Sequence, residues 1–188
     1  MKKILLLLTI ILISSCKGDK KENTDSSSDT FEIQDESIPE YEDEILLLGL
    51  QSRKALEEAP YNEWFEENYT YEPNPDAMKT LSENTDGVSF IVFMGTWCED
   101  SQLHTPAFFK ILDQLNFPEE KVRLITVSRD KDTPEGLEDG FAIEYVPTII
   151  LYKDKKELGR IVEWPVETIE KDLAAIISGE DYKHTYAE

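Results

Sequence analysis

The chain of 188 residues has little of the chemistry that crosslinks proteins or binds transition metals. It contains two cysteines, Cys16 and Cys98, and two histidines. A closed zinc site takes four ligands drawn mainly from these two residue types, so this supply argues against one. We therefore expect no metal site and no other cofactor.

Basic side chains are also scarce. Lysine and arginine together number 19 against 40 aspartates and glutamates, which gives a formal net charge of −21 at pH 7. A surface this acidic repels nucleic acid and anionic lipid headgroups. We expect no nucleic-acid partner and no electrostatic binding to membranes.

An apolar run long enough to span a bilayer is missing as well. Residues 4–13 are apolar except for one threonine, which is too short for a permanent transmembrane helix. The run follows two lysines and precedes two serines, a pattern typical of a secretory signal peptide, here residues 1–15. Its end, Ile-Ser-Ser-Cys, resembles a bacterial lipobox, which implies cleavage before Cys16 and lipid attachment to that residue. The alternative is an ordinary secretory signal in which Cys16 is incidental.

Lipidation of Cys16 would place the protein in the cell envelope, anchored to a membrane on its extracytoplasmic side. Cys98 would then be the single free thiol, and an internal disulfide would be excluded. Residues 16–40 are polar and rich in Ser, Asp, Glu and Lys. Such a segment buries too little apolar surface to offset its ordering entropy, so we predict a disordered tether.

The pattern of residues 41–85 predicts a helical extension that packs on the sheet that follows. The first helix covers residues 41–59 and has an acidic first turn. A second begins at Pro60 and presents large aromatic side chains at helical spacing. A third is capped by Asp76 and continues through Leu81.

The pattern of residues 86–182 predicts a single α/β domain. Its apolar runs and periodicities indicate strands at Val88–Met94, 122–127, 148–152 and 157–162, and helices at 101–115, within 130–144 and at 166–177, with Gly179 at the last helix end. The order of helices, a βαβ unit, a hairpin and a final helix predicts a central mixed sheet with helices on both faces.

Three motifs stand in register within this domain. Trp97-Cys98-Glu99-Asp100-Ser101 follows the first core strand and opens a helix, Pro106 lies eight residues after Cys98, and Val146-Pro147-Thr148 precedes a strand. From residue 88 to 177 the chain resembles the thioredoxin family, and more narrowly the secreted bacterial thioredoxin-like lipoproteins that have a helical N-terminal extension. The resemblance implies a thioredoxin-like fold in which Pro147 is a cis-proline beside the active cysteine.

Cys98 is the candidate nucleophile. A cysteine in the first turn of a helix faces unpaired backbone N–H groups and the positive end of the helix dipole, which favour its reactive form. Glu99 and Asp100 act in the opposite direction. The resemblance also implies a buried acid six residues before the cysteine, but Val92 occupies that position.

Ser101 occupies the position at which the resemblance implies a second cysteine. A serine hydroxyl one turn after Cys98 can donate a hydrogen bond to the thiolate, but it cannot expel a substrate from a mixed disulfide. A thiol from elsewhere must therefore resolve any mixed disulfide on Cys98. We expect that thiol to belong to the substrate, a small thiol or a partner protein.

The residues around Pro147 are candidates for substrate binding. A cis bond at this site leaves Val146 free to pair its backbone with an extended substrate strand. Trp97 is a candidate for the apolar surface that shields the thiol, and Glu163 and Trp164 are candidates for the rim. The alternatives are a proline that merely begins a strand and a tryptophan that belongs to the core.

Two functions from different classes fit these observations. One is monothiol thiol–disulfide exchange with extracytoplasmic proteins or a small thiol, carried out by a monomer. The other is a redox-inactive module that binds peptides or proteins. A cysteine–histidine hydrolase is disfavoured because helix geometry directs His104 away from Cys98. A peroxidase is disfavoured because the threonine and proline that peroxiredoxins carry before their cysteine are missing.

Overall fold

The computed structural model describes residues 46–187 of the chain. The predicted signal peptide (residues 1–15), Cys16, the tether (residues 16–40) and the start of the predicted first helix (residues 41–45) lie outside the described residues. Within residues 46–187, no helix is both long enough and apolar enough to cross a membrane.

The described residues form a mixed sheet with flanking helices, as the sequence predicts, but the sheet has five strands and not the four predicted. In chain order the elements are β1 (Gly49–Gln51), α1 (Asn62–Asn68), α2 (Pro75–Asn84), β2 (Val88–Met94), α3 (Glu99–Gln114), β3 (Val122–Thr126), β4 (Thr148–Lys153), β5 (Lys156–Val162) and α4 (Ile169–Ser178), with 3₁₀ turns at Arg53–Leu56 and Glu119–Lys121. The strand order is β1-β3-β2-β4-β5. Strands β2 and β3 are parallel, and the other neighbouring pairs are antiparallel.

The two faces of the sheet are covered by different kinds of structure. On the helix face, side chains from all four α-helices of the described part pack against β2 and β4. Phe65, Leu81, Phe108 and Leu173 represent α1 to α4 in that core. The opposite face, called the loop face here, is covered by the connection between β3 and β4 (residues 127–147).

The prediction of helices on both faces is therefore wrong for the described residues, and so is the short helix predicted within residues 130–144. That connection has left-handed backbone at four places, Lys131, Gly136, Gly140 and Ala142. A right-handed helix cannot continue through such positions. The chain bends back on itself and still packs its apolar side chains on the sheet.

The helix predicted over residues 41–59 is also wrong where the structure describes it. Residues 49–51 form the edge strand β1, in which Leu50 pairs with Ile125 of β3. An unpaired edge of β3 would expose a row of backbone donors and acceptors, so pairing there outweighs a local helical pattern. Helices α1 and α2 overlap the second and third predicted helices, although the side chain of Asn74, and not Asp76, caps α2.

The topology brings two chain segments to the same edge of the sheet. Strands β2 and β4 are antiparallel neighbours, with Phe93 opposite Thr148. The turn that follows β2 and the segment that precedes β4 therefore meet. The first carries Cys98, and the second carries the cis Val146–Pro147 peptide.

Candidate functional site

Cys98 lies at the N-terminus of α3, where the sequence predicts it. It is the N-cap residue, with extended backbone (φ −99°, ψ 120°). Its N–H donates to the carbonyl of Gly95 at 3.0 Å, and its own carbonyl accepts from the N–H of Gln102 at 2.9 Å. These two hydrogen bonds fix the backbone of a residue that is partly exposed.

The sulfur of Cys98 contacts the cis-proline segment. Its thiol donates a hydrogen bond to the carbonyl oxygen of Val146 at 3.2 Å, and the peptide from Val146 to Pro147 is cis. The structure thus brings together three of the predicted site residues, Cys98, Val146 and Pro147. Only the protonated thiol can make this bond, because a thiolate has no proton to donate.

Ser101 has a different role from the one expected. Its side chain is fully buried, and its Oγ accepts a hydrogen bond from the N–H of Gly95 at 3.2 Å. The predicted hydrogen bond from this hydroxyl to the sulfur of Cys98 does not form in the described structure. The physical reason is that Ser101 points into the protein, where the turn between β2 and α3 supplies a donor.

Trp97 lies across the turn before Cys98 and is partly buried. A Cβ placed on Gly95 would be 2.5 Å from Cε2 of Trp97, so the indole packs directly on that backbone. The indole N–H donates to the carbonyl of Val127 at 2.9 Å. The guanidinium carbon of Arg129 lies 5.2 Å from the ring centroid, within the range of a cation–π contact. Trp97 thus joins the loop face to the site and keeps part of its ring exposed.

The segment after β5 forms a third side of the site. Glu163 has left-handed backbone (φ 64°), and its N–H donates to the carbonyl of Pro147 at 2.8 Å. The next residue, Trp164, is 42 % exposed. Both residues therefore lie at the rim, where the sequence made them candidates.

Two aromatic residues of the site were missed by the sequence analysis. The rings of Tyr145 and Tyr186 stack with centroids 4.1 Å apart and planes 5° apart. Tyr145 precedes Val146 directly, and that position was the available signal. Tyr186 lies beyond the predicted end of the domain at residue 182, in a polar segment without periodicity.

Comparison with known proteins agrees with this arrangement. The model of the family described as Thioredoxin matches residues 74–177, which is more than half of the chain. The chain belongs to the thioredoxin family. The matched part contains β2 to β4, α3 and the whole site except the segment around Tyr186, and it supports a role in thiol–disulfide exchange. It also includes α2, which the sequence analysis assigned to the extension.

Solved structures similar to this thioredoxin are distant in sequence. A Pseudomonas aeruginosa protein of unknown function is 20% identical, with 63% of this chain and 72% of that chain covered and a TM-score of 0.41. An HIV epitope-scaffold is 18% identical over the same shares of both chains, with a TM-score of 0.40. No curated protein matches the chain.

Two positions that could have supplied a base for Cys98 do not do so. Val92, at the position where the family resemblance implies a buried acid, is fully buried between Leu124 and Ile149 on the neighbouring strands. Burial lowers the pKa of His104, although the charge of Asp100 opposes that shift. His104 lines a cavity of about 360 Å³ whose lining does not include Cys98. Neither residue 92 nor His104 therefore supplies a base for the thiol of Cys98.

Within the described part of the chain, the His, Cys, Asp and Glu side chains form no group that could hold a metal ion.

Proposed function

We propose that this thioredoxin carries out monothiol thiol–disulfide exchange through Cys98. The observation that carries the proposal is the contact at 3.2 Å between the sulfur of Cys98 and the carbonyl of Val146. It places a partly exposed nucleophile at a helix N-terminus next to a backbone segment suited to hold a substrate strand. The substrates are extracytoplasmic protein thiols or disulfides, or a small thiol.

Substrate binding uses the backbone of Val146. An extended chain that pairs with this residue donates an N–H to its carbonyl, as in strand addition to a sheet edge. Without substrate, that carbonyl accepts a hydrogen bond from the thiol of Cys98. Substrate docking and the hydrogen bond from the thiol therefore compete for the same oxygen, so docking favours the sulfur that has lost its proton.

The exchange consists of two displacements at sulfur. The thiolate of Cys98 attacks one sulfur of a substrate disulfide, a Cys98–substrate disulfide forms, and the second substrate sulfur leaves as a thiolate that takes a proton from water. A further thiolate then attacks the mixed disulfide and releases Cys98. When that thiolate belongs to the same substrate, the disulfide is isomerised. When it belongs to an external thiol, the substrate leaves as a mixed disulfide with that thiol, and a second external thiol then displaces the substrate sulfur and completes the two-electron reduction.

Ser101 makes the second step dependent on an outside thiol. Its hydroxyl is fully buried and accepts from Gly95, and a serine cannot form a sulfur–sulfur bond. The mixed disulfide is therefore long-lived unless the substrate or a small thiol resolves it. The same observation favours the second candidate function, a peptide-binding module that has lost its redox cycle.

Covalent trapping separates the two functions. Cells quenched with acid and a thiol-blocking reagent should contain disulfide-linked adducts of the wild-type protein that vanish in Cys98→Ala. Absence of adducts at every redox poise would leave only the binding module.

A second cysteine tests the monothiol character. Ser101→Cys places a resolving thiol in the position of the family's second cysteine, so the adducts should become short-lived. Ser101→Ala is the matched control, because it also loses the acceptor for Gly95 but brings no thiol. Equal adduct lifetimes in both variants would contradict the proposed role of position 101.

The lipid anchor on Cys16 and the location outside the cytoplasm are part of the same proposal. Their support is the short apolar run at residues 4–13 and the Ile-Ser-Ser-Cys sequence that ends at Cys16. Growth with an alkyne-labelled fatty acid should label the wild-type protein but not Cys16→Ser. Label that persists in Cys16→Ser would exclude lipidation at this residue.

A further inference from the structure

The segment of residues 183–187, called the strap here, folds back onto the site. Its Tyr186 ring stacks on Tyr145 with centroids 4.1 Å apart and planes 5° apart. Trp164 lies on the same ring assembly, 6.5 Å from Tyr186 with planes 29° apart. Tyr186 is 39 % exposed, so it forms an outer layer over Tyr145.

Polar contacts hold the strap at the rim. The hydroxyl of Tyr186 donates to the carboxylate of Glu163, and the hydroxyl of Thr185 donates to the carbonyl of Trp164 at 3.1 Å. Inside the strap, the N–H of Tyr186 donates to Nδ1 of His184 at 3.2 Å. The strap therefore has a defined conformation and two fastening points on the segment after β5.

The residues that the strap contacts lie beside Val146 and Pro147, which we propose bind the substrate. Tyr145 directly precedes Val146, whose carbonyl accepts a hydrogen bond from the thiol of Cys98. Glu163 donates its N–H to the carbonyl of Pro147. The hydrogen bond to Glu163 raises the pKa of Tyr186 to about 12, and the charge of Asp100, two residues after Cys98, acts in the same direction. The strap therefore contacts Tyr145, which precedes the cis peptide, and Glu163, which is hydrogen-bonded to Pro147.

We propose that Tyr186 determines which disulfides react with Cys98. It covers the surface on which a polypeptide substrate would lie, and it leaves Cys98 accessible to small disulfides. This inference rests on the proposed exchange function. A substrate strand paired with Val146 advances about 3.3 Å per residue and therefore runs along the neighbouring Tyr145. The ring of Tyr186 is stacked on the ring of Tyr145, so a strand that runs over Tyr145 must displace Tyr186.

A small disulfide has no such requirement. It needs only an approach to Cys98, a residue that remains partly exposed with the strap in place. The strap therefore penalises extended substrates selectively. Its contacts are few, exposed and non-covalent, so a polypeptide that binds well can open it.

The test compares two disulfides with the same leaving group, hydroxyethyl disulfide and a ten-residue uncharged peptide whose one cysteine is linked to mercaptoethanol. The rate of mixed-disulfide formation on Cys98 is followed by acid quench and mass spectrometry. Tyr186→Ala should raise the rate with the peptide roughly tenfold, the factor that corresponds to loss of a strong aromatic pair. The rate with hydroxyethyl disulfide should stay unchanged.

Two controls separate stacking from other effects. Tyr186→Phe keeps the ring on Tyr145 and loses the hydrogen bond to Glu163, so it should raise the peptide rate less than Tyr186→Ala does. Leu158→Ala removes a side chain of similar exposure, 38 % against 39 %, at the distant part of β5, and it should change neither rate.

Three results would overturn the inference: an unchanged peptide rate in Tyr186→Ala, a lower peptide rate, or an equal rise with both disulfides. If wild type and variants react with neither disulfide, the proposed exchange function fails. The role of Tyr186 is then decided by alkylation of Cys98 with iodoacetamide and with a bromoacetylated form of the peptide. Tyr186→Ala should again accelerate only the peptide reagent, and equal effects on both reagents would exclude the strap.

Discussion

The two faces of the sheet contribute differently to stability and to the chemistry of Cys98. The helix face holds the larger apolar core, in which side chains from β2, β4 and the α-helices are almost wholly buried. The loop face holds a smaller core around Phe93, Ile125 and Ile150, with Trp97 and Cys98 at its border. Stability should therefore depend mainly on the helix face, and the chemistry of Cys98 on the loop face.

Backbone hydrogen bonding explains why the faces differ. Helices satisfy their own N–H and C=O groups and can be buried completely. The connection over the loop face combines short-range backbone hydrogen bonds with bonds from side chains. The carboxylate of Glu138 accepts from the N–H and the hydroxyl of Thr133, at 3.0 and 2.7 Å. Such a segment follows no regular path, so it can present a carbonyl, like that of Val146, where a site requires it.

The largest effect on stability is expected from Phe108→Ala on the helix face. Phe108 is fully buried, and its ring meets that of Phe90 edge to face at 5.1 Å. The cavity should lower the free energy of unfolding by about 3–5 kcal/mol, measured by urea denaturation. The alkylation rate of Cys98 in the folded protein should not change. A changed rate would show that the two faces are coupled.

A carboxylate on the helix face gives the next largest effect, and it depends on pH. Glu170 is 1 % exposed and accepts hydrogen bonds from Tyr71 and Thr168, both at 2.7 Å, and from the N–H of Asn74 at 3.0 Å. Burial opposes ionisation of Glu170, but these hydrogen bonds outweigh it and lower its pKa. The stabilisation is therefore present above the carboxyl's unfolded pKa and is lost as the pH falls through the lower, folded pKa.

Glu170→Gln should accordingly destabilise the protein by about 1.5–3 kcal/mol at pH 7, the range for hydrogen bonds to a charged group. The difference from wild type should shrink as the pH falls below about 4. Urea denaturation at several pH values measures both. The exposed Glu66→Gln is the control and should change little at any pH. A difference that does not vary with pH would mean that the charge of Glu170 contributes nothing.

The helix face was also the face that the sequence predicted better. The apolar run Val88–Met94 coincides with β2, and the predicted helix at residues 101–115 overlaps α3 almost completely. Both signals are local, because each pattern follows from one element packed on one core. The family resemblance predicted that Pro147 lies beside Cys98. The antiparallel pairing of β2 with β4 is what brings the two residues together.

Long-range contacts account for what the sequence did not predict. Strand β1 forms because it pairs with the free edge of β3. The local sequence of residues 49–51 gives no sign of this pairing. Ser101 turns inward to accept from Gly95, a contact that depends on the path of the turn after β2. Tyr186 meets Tyr145 across 41 residues of sequence, and neither lies in a periodic element. Each of these contacts involves a partner that local pattern does not specify.

Gly95→Ala tests the border between the faces. The new Cβ would lie 2.5 Å from Cε2 of Trp97, so the indole must move away from the carbonyl of Val127. Overpacking of this kind costs about 1–3 kcal/mol in unfolding free energy. Gly159→Ala on β5 is the matched control, because the nearest atom to its Cβ would belong to the side chain of Ile176, at 3.1 Å instead of 2.5 Å. The indole N–H resonance of Trp97 should shift in Gly95→Ala alone, and an unshifted resonance would contradict the packing.

The smallest effect on stability should come from Phe141→Ala on the loop face, and it bears most directly on the division between the faces. The ring of Phe141 is partly buried and lies 5.1 Å from that of Phe93, a contact worth about 0.5–1.5 kcal/mol. Its loss should loosen the segment that ends at Val146 and open the hydrogen bond from Cys98 more often. Alkylation of Cys98 by iodoacetamide should therefore become severalfold faster, although urea denaturation shows less change than for Phe108→Ala. If Phe141→Ala lowers stability and leaves the alkylation rate unchanged, the loop face is a second structural core and does not control the sulfur.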